Sequence, residues 1–275
     1  MSEFKAPVTG NPWHTLRQFT AARIALGRAG VSQPTASQLE FQLAHARARD
    51  AVHHAMEAEG LARAFAAGLP QAPLPALLLH SAAESRDVYL QRPDLGRRLD
   101  PASRAAVQAL RMREQGDQSI CAWDVVFVIA DGLSALAIEQ NALPFMQVLM
   151  GRPAMESWRI GPLAFVRQGR VALGDEVGEL LGAQAVVVLI GERPGLSSPD
   201  SMGIYLTWQP RIGLTDASRN CISNVRPAGM RYEEAAHKLH YLLSEARGRG
   251  LSGVELKDES GTAEGLADVV PRFLL

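Results

Sequence analysis

The spacing of apolar residues changes once along the chain. From Pro12 to about Ala67 it is helical. In "WHTLRQFTAARIALGRAG", Leu16, Phe19, Ile24 and Leu26 recur at roughly helical intervals before two glycines close the run. After "VSQP", Thr35 or Ser37 can cap a second helix, "ASQLEFQLAHARARDAVHHAMEAEG", which places Leu39, Leu43 and Ala46 on one face. The proline-rich "GLPQAPLPALLLH" then reads as a linker.

Beyond the linker, short β-prone runs alternate with helical stretches. The runs are "DVYL" (87–90), "VVFVIA" (125–130), "PLAFVR" (162–167), "AVVVLI" (185–190), "GIYLTW" (203–208) and, more weakly, "CISNV" (221–225). Helices are expected at about 101–114, 134–150, 175–182 and 231–247. Several strands are apolar without alternation, which marks strands covered on both faces. The pattern predicts an α/β fold: an open, mostly parallel sheet with helices on both faces, preceded by a small all-helical N-terminal domain. The expected division is 1–82 for the helical domain and linker, and 83–275 for the α/β domain.

Composition narrows the function classes. A chain of 275 residues, 47% apolar and 21% charged, can bury a large core. Its formal net charge of -1 gives no broad attraction to nucleic acid or to an anionic membrane. Cys121 and Cys221 form neither a disulfide framework nor a zinc spacing, so a reducing, cytoplasmic setting is expected. The opening residues lack a secretory h-region, and no apolar run is long enough to span a bilayer.

The unusual residues fall in the turns. "QRPDLGRRL", "DGLS", "RQGRV", "GERPGL" and "NVRP" each follow an expected strand, and in open α/β sheets that rim is where ligands bind. Glycine, proline and aspartate also serve turn geometry alone, but here Arg92, Arg97, Arg98, Arg170, Arg193 and Arg226 would crowd one edge. No G-x-G-x-x-G follows a strand and no P-loop is present. A bulky ligand rich in amides suits the rim better, with Glu192 accepting from its N–H groups; the alternative is a surface pair of Glu192 with Arg193 or Arg170. Neither His45, His53 and His54 nor His237 and His240 form a recognised metal set, and Cys221 reads as a small buried hydrophobe. No G-x-S-x-G elbow is present. Two other classes stay open: a stand-alone α/β enzyme using a nucleotide or coenzyme A, and an interaction module docking through its helical opening segment.

"RPDLGRRL" (92–99), "ADGLSALAI" (130–138), "GRVALGDEVGELLGA" (169–183), "GERPGL" (191–196) and "RNCISNV" (219–225), taken in order, resemble the small (light) subunit of ethanolamine ammonia-lyase. The similarity runs from about Asn11 to Arg247 and includes the helical opening. It implies a Rossmann-like cobalamin-binding domain, adenosylcobalamin as cofactor, and a hetero-oligomer with a large barrel subunit that carries the substrate site. It also implies conversion of ethanolamine to acetaldehyde and ammonia by radical chemistry, with no catalytic residue on this chain. The resemblance maps the cofactor contacts onto Val171, Glu192 and Cys221. A D-x-H-x-x-G signature is absent, so the cofactor is expected to keep its own benzimidazole on cobalt. Enclosure in a bacterial microcompartment is a further implication. The segment 113–124 is longer than the resemblance suggests, Ser197 stands where glycine is usual, and the leader is short.

Overall fold

The computed structural model describes residues 8–69, 76–115 and 123–261. Its centre is a six-stranded sheet in the order β1-β3-β2-β4-β5-β6. The strands are β1 (Leu77–His80), β2 (Trp123–Ala130), β3 (Ala164–Arg167), β4 (Ala183–Gly191), β5 (Met202–Trp208) and β6 (Arg219–Val225). The two longest apolar runs, β2 and β4, pair in parallel at the middle and are buried along almost their whole length. That is why they show no alternation: both faces of each strand are covered.

The two faces pack separately. Val125, Phe127 and Ile129 of β2 belong to a core shared with α2 (Ala58–Gly68), α5 (Ala135–Met150) and α7 (Tyr232–Arg249). Val126, Val128 and Ala130 join the core beneath α4 (Pro101–Gln115) and α6 (Leu173–Leu181). The first four strands in spatial order are parallel, whereas β5 runs against β4 and β6 against β5. Two reversals bring β6 back to the direction of β4. The carboxyl ends of β2, β3, β4 and β6 therefore meet at one rim, where β5 begins.

Several expectations need correction. "DVYL" is not a strand: it lies in a short helix, α3 (Arg86–Gln91). The Ser85 hydroxyl caps that helix by accepting from the Val88 N–H at 3.3 Å, Asp87 sits favourably in its first turn, and Tyr89 is buried. The first strand is instead "LLLH" at 77–80, inside the expected linker and before the expected boundary at 82/83. Residues 70–75 of that linker and most of the 113–124 segment, with Cys121, lie outside the described residues.

The N-terminal helices also differ. Only Pro12–Phe19 is helical in the first stretch, as a 3-10 helix capped by Asn11 accepting from the Trp13 N–H at 2.9 Å, and it buries none of its residues. The second helix, α1 (Thr35–His53), starts where expected but breaks before α2 and buries Ala48 and Ala51, leaving Leu39 and Leu43 exposed. Its buried residues thus all fall in its second half. Among the described residues no helix is long and apolar enough to cross a membrane.

Candidate functional site

At the rim the loops after β2 and β4 touch backbone to backbone. Gly132 has φ 56°, and a Cβ there would lie 2.3 Å from the Gly191 carbonyl oxygen. The Leu133 N–H donates to that same oxygen at 2.9 Å. Only glycine satisfies both the left-handed backbone and the close approach. The loop after β2 then enters α5, with Ser134 as its cap.

Asp131 ties this loop to its neighbour. Its fully buried carboxylate accepts from the Gln168 and Gly169 N–H groups, at 2.9 and 3.0 Å, just past β3. Gln168 is itself left-handed, at φ 56°. Arg86 approaches to 3.7 Å and also donates to the Gly132 carbonyl at 2.8 Å. Burial lifts the Asp131 carboxyl to about 6, against the opposing pull of the Gln168 amide and Arg86. Two strained turns thus hang from one carboxylate.

These loops frame a cavity of about 480 Å³. Its apolar lining includes Leu133, Val171 and Ile190, and its polar lining includes Glu192, Arg97, Arg170 and Arg193. Val171 arrives from the turn into α6, and Glu192 is the first residue after β4. The two residues singled out after β3 and β4 therefore share one cavity. Tyr205 of β5 lines it as well, and directly opposite Tyr205 in the ladder stands Cys221 of β6. All three positions fall on the α4/α6 side of the sheet.

Cys221 is exposed, which corrects the expectation of a buried hydrophobe. It sits on the outermost strand, on the side that among the described residues carries no covering helix: α5 and α7 pack on the other side of β5 and β6. Its thiol and the Tyr205 hydroxyl are hydrogen-bonded. Loss of solvent around both groups pushes their pKa values up, and the negative charge of Glu192 adds to each shift. The thiol is held protonated and is not an activated nucleophile.

The rim arginines divide into two groups. Arg92 pairs with Asp94, and Arg226 with Asp200 at 3.2 Å, so these two are engaged away from the cavity. Arg170 lies over the Tyr89 ring, 4.5 Å from its centroid, and donates to the Tyr89 carbonyl. Arg97 lines this cavity and an adjoining one of about 630 Å³, where Arg98 and Arg104 meet Asp175 and Glu176. In that second space the Asp175 and Arg219 side chains form a buried ion pair. Among the described residues no cluster of three or more histidine, cysteine or acidic groups could hold a metal ion.

Motif reading missed Asp131, Tyr205, Ser201 and Asn224. Asp131 was visible only as the first letter of "DGLS". Ser201 and Asn224 reach Glu192 solely because β5 and β6 reverse direction, which no local pattern announces.

The whole sequence was also compared with known proteins. Residues 10–257 match the family described as "Ethanolamine ammonia-lyase light chain (EutC)". The chain is 56% identical over 273 residues to the "Ethanolamine ammonia-lyase small subunit" of Azotobacter vinelandii, covering 98% of each chain. It is 57% identical over 268 residues to the protein of the same description from Pseudomonas aeruginosa, covering 96% of this chain and 94% of that one. A Pseudomonas putida protein, likewise so described, is 52% identical over 277 residues.

Proposed function

This chain belongs to the ethanolamine ammonia-lyase light-chain family, and from that premise we propose that it holds adenosylcobalamin against a larger barrel subunit carrying the substrate site. The observation that supports this most is the convergence of Val171 and Glu192 on one cavity, with Cys221 beside it across Tyr205. A corrin ring has apolar faces and a fringe of amide side chains. Val171, Leu133 and Ile190 suit the first, and the Glu192 carboxylate suits the second as an acceptor. Arg97, Arg170 and Arg193 offer cations to the one phosphodiester of the cofactor.

The cofactor, when bound, supplies a cobalt–carbon bond whose homolysis starts the conversion of ethanolamine to acetaldehyde and ammonia. This chain's own residues bind, orient and exclude water. A cavity of about 480 Å³ takes one edge of so large a group and leaves the rest to the companion subunit. The N-terminal residues speak for that companion too. Nine of the thirteen exposed large apolar residues among the described residues lie between Val8 and Leu43. In this reading residues 1–82 serve mainly the partner and residues 83–275 mainly the cofactor. A retained benzimidazole ligand and enclosure in a microcompartment belong to the same proposal. The stand-alone nucleotide or coenzyme A reading is set aside, because a subunit family matches nearly the whole chain.

Reconstitution tests the proposal. The isolated chain is expected to release no ammonia, with turnover appearing only on addition of the large subunit and adenosylcobalamin. Glu192→Ala is expected to weaken hydroxocobalamin binding by the complex about tenfold, the scale of one lost hydrogen bond to a charged group. Turnover by the chain alone, or unaltered affinity in the variant, would overturn the assignment.

A further inference from the structure

The loop returning β4 into β5 is closed by the Glu192 N–H, which donates to the Ser201 carbonyl at 2.9 Å. Both side chains fall on the same side of the sheet, and the Ser201 hydroxyl donates to Glu192 Oε2. Ser201 is only 4% exposed, so water does not compete for that bond.

A third partner comes from an irregularity in β6. Met202 pairs with Val225 but Ile204 pairs with Ile222, so β6 carries one extra residue around Ser223 and Asn224. Asn224 is left-handed, at φ 58°. A bulge of this kind releases an N–H from the ladder and re-aims it. Here it points at Glu192, 3.4 and 3.3 Å from Oε1 and Oε2. The Asn224 conformation is tied down in turn: its carbonyl accepts from the Met230 N–H at 2.8 Å and its side-chain oxygen from Arg226 Nε at 3.0 Å. Arg226 is itself anchored to Asp200. Gly203 completes the arrangement, because a Cβ there would sit 3.1 Å from Glu192 Oε1, 3.2 Å from Tyr205 Cε2 and 3.3 Å from Glu192 Cγ.

We propose that Ser201 and the bulged Asn224 are positioning residues for Glu192, and that Gly203 leaves the space in which they hold its carboxylate flat over β5. The inference rests on the cofactor reading above and extends it: the group recognised by Glu192 is the N–H of a primary carboxamide. A carboxylate offers about four acceptor sites. Ser201 and Asn224 are the only donors to it among the described residues, which leaves acceptor capacity on a residue that lines the cavity. An untethered glutamate would lose rotamer freedom when a ligand arrives, whereas this one has lost it already.

The test is a double-mutant cycle on the complex with the large subunit, read as hydroxocobalamin affinity by absorbance titration. Ser201→Ala is expected to weaken binding about tenfold, and Ser201→Ala combined with Glu192→Ala to bind no more weakly than Glu192→Ala alone. Gly203→Ala is expected to weaken binding more when Glu192 is present than in the Glu192→Ala background, where only its contact with Tyr205 remains. A merely structural role would weaken both backgrounds equally, and that result overturns the inference. Wild-type affinity in Ser201→Ala, with Glu192→Ala weakened, removes the positioning role and leaves the cofactor reading intact. Wild-type affinity in Glu192→Ala removes the cofactor reading and the positioning role with it.

Discussion

Phe127 and Phe19 are one side chain in two settings. Phe127, in β2, is completely buried between helices, whereas Phe19, at the end of the N-terminal 3-10 helix, is 63% exposed. The contrast extends to their surroundings. The α/β body packs its apolar side chains into two buried cores, and at its rim Asp131, Glu192 and Asn224 each have named partners. The N-terminal arm is anchored to that rim by few bonds, among them Arg23 to the Leu196 carbonyl and Ser197 to the Ala21 carbonyl. It exposes Trp13, Leu39 and Phe41. The body therefore carries its stability within itself, whereas the arm keeps an exposed apolar face among the described residues. The anchors fall on the loop that follows Glu192, so whatever covers the arm adjoins the cavity.

The largest expected effect attacks the body side of this contrast. Phe127→Ala should cost about 3–5 kcal/mol in urea unfolding, through lost burial and an unfilled cavity. A small loss would show that the core is less tightly packed than its burial implies. Next comes the arm. Trp13→Ser with Phe19→Ser should reduce affinity for the large subunit tenfold or more, as removal of exposed aromatic anchors does. Unchanged co-sedimentation would deny the arm its partner.

A third measurement uses pH. The Asp131 carboxyl titrates near 6 in the fold, above its ordinary value of 3.8. The folded state therefore binds more protons than the unfolded state between those values. The contribution of Asp131 to stability is fully present below about 3.8 and is lost as pH rises through about 6. Urea unfolding from pH 4 to 6.5 should show this downward slope in the wild type and its absence in Asp131→Asn. Identical slopes would remove Asp131 as the titrating group. The smallest effect closes the comparison: Leu39→Ala alone, at a side chain 60% exposed, should change the stability of the isolated chain by no more than about 0.5 kcal/mol. A loss near that of Phe127→Ala would erase the distinction.

Much of the body was legible in the letters. Unbroken apolar runs at 125–130 and 185–190 are the two central strands, and the helices near 134–150 and 231–247 fall where periodicity puts them. Length decided the failures. Four residues such as "DVYL" or "LLLH" contain too few positions to distinguish a period of two from one of 3.6, so a helix was read as a strand and a strand as linker. In the arm the apolar spacing is genuine, but spacing says only that a face wants burial, not that this chain supplies it. At the rim, Val171 and Glu192 could be placed because each follows a strand of the parallel set. Cys221 was assigned the wrong exposure because strand order, not local pattern, decides which strand lies at the edge. Ser201 and Asn224 act through backbone geometry at a bulge, and no residue type marks that in advance.

The reversal of β5 has a further consequence. Had the chain kept its parallel wiring after β4, a crossover helix would have been needed to reach the next strand, and on the α4/α6 side it would have roofed Gly203, Tyr205 and Cys221. A short return loop in its place leaves that patch without a helix over it among the described residues, roofed at Gly203 by the Glu192 side chain. In the proposed reading, a flat, wide molecule would rest on the Tyr205 and Cys221 end of that patch, with a ceiling supplied by another polypeptide.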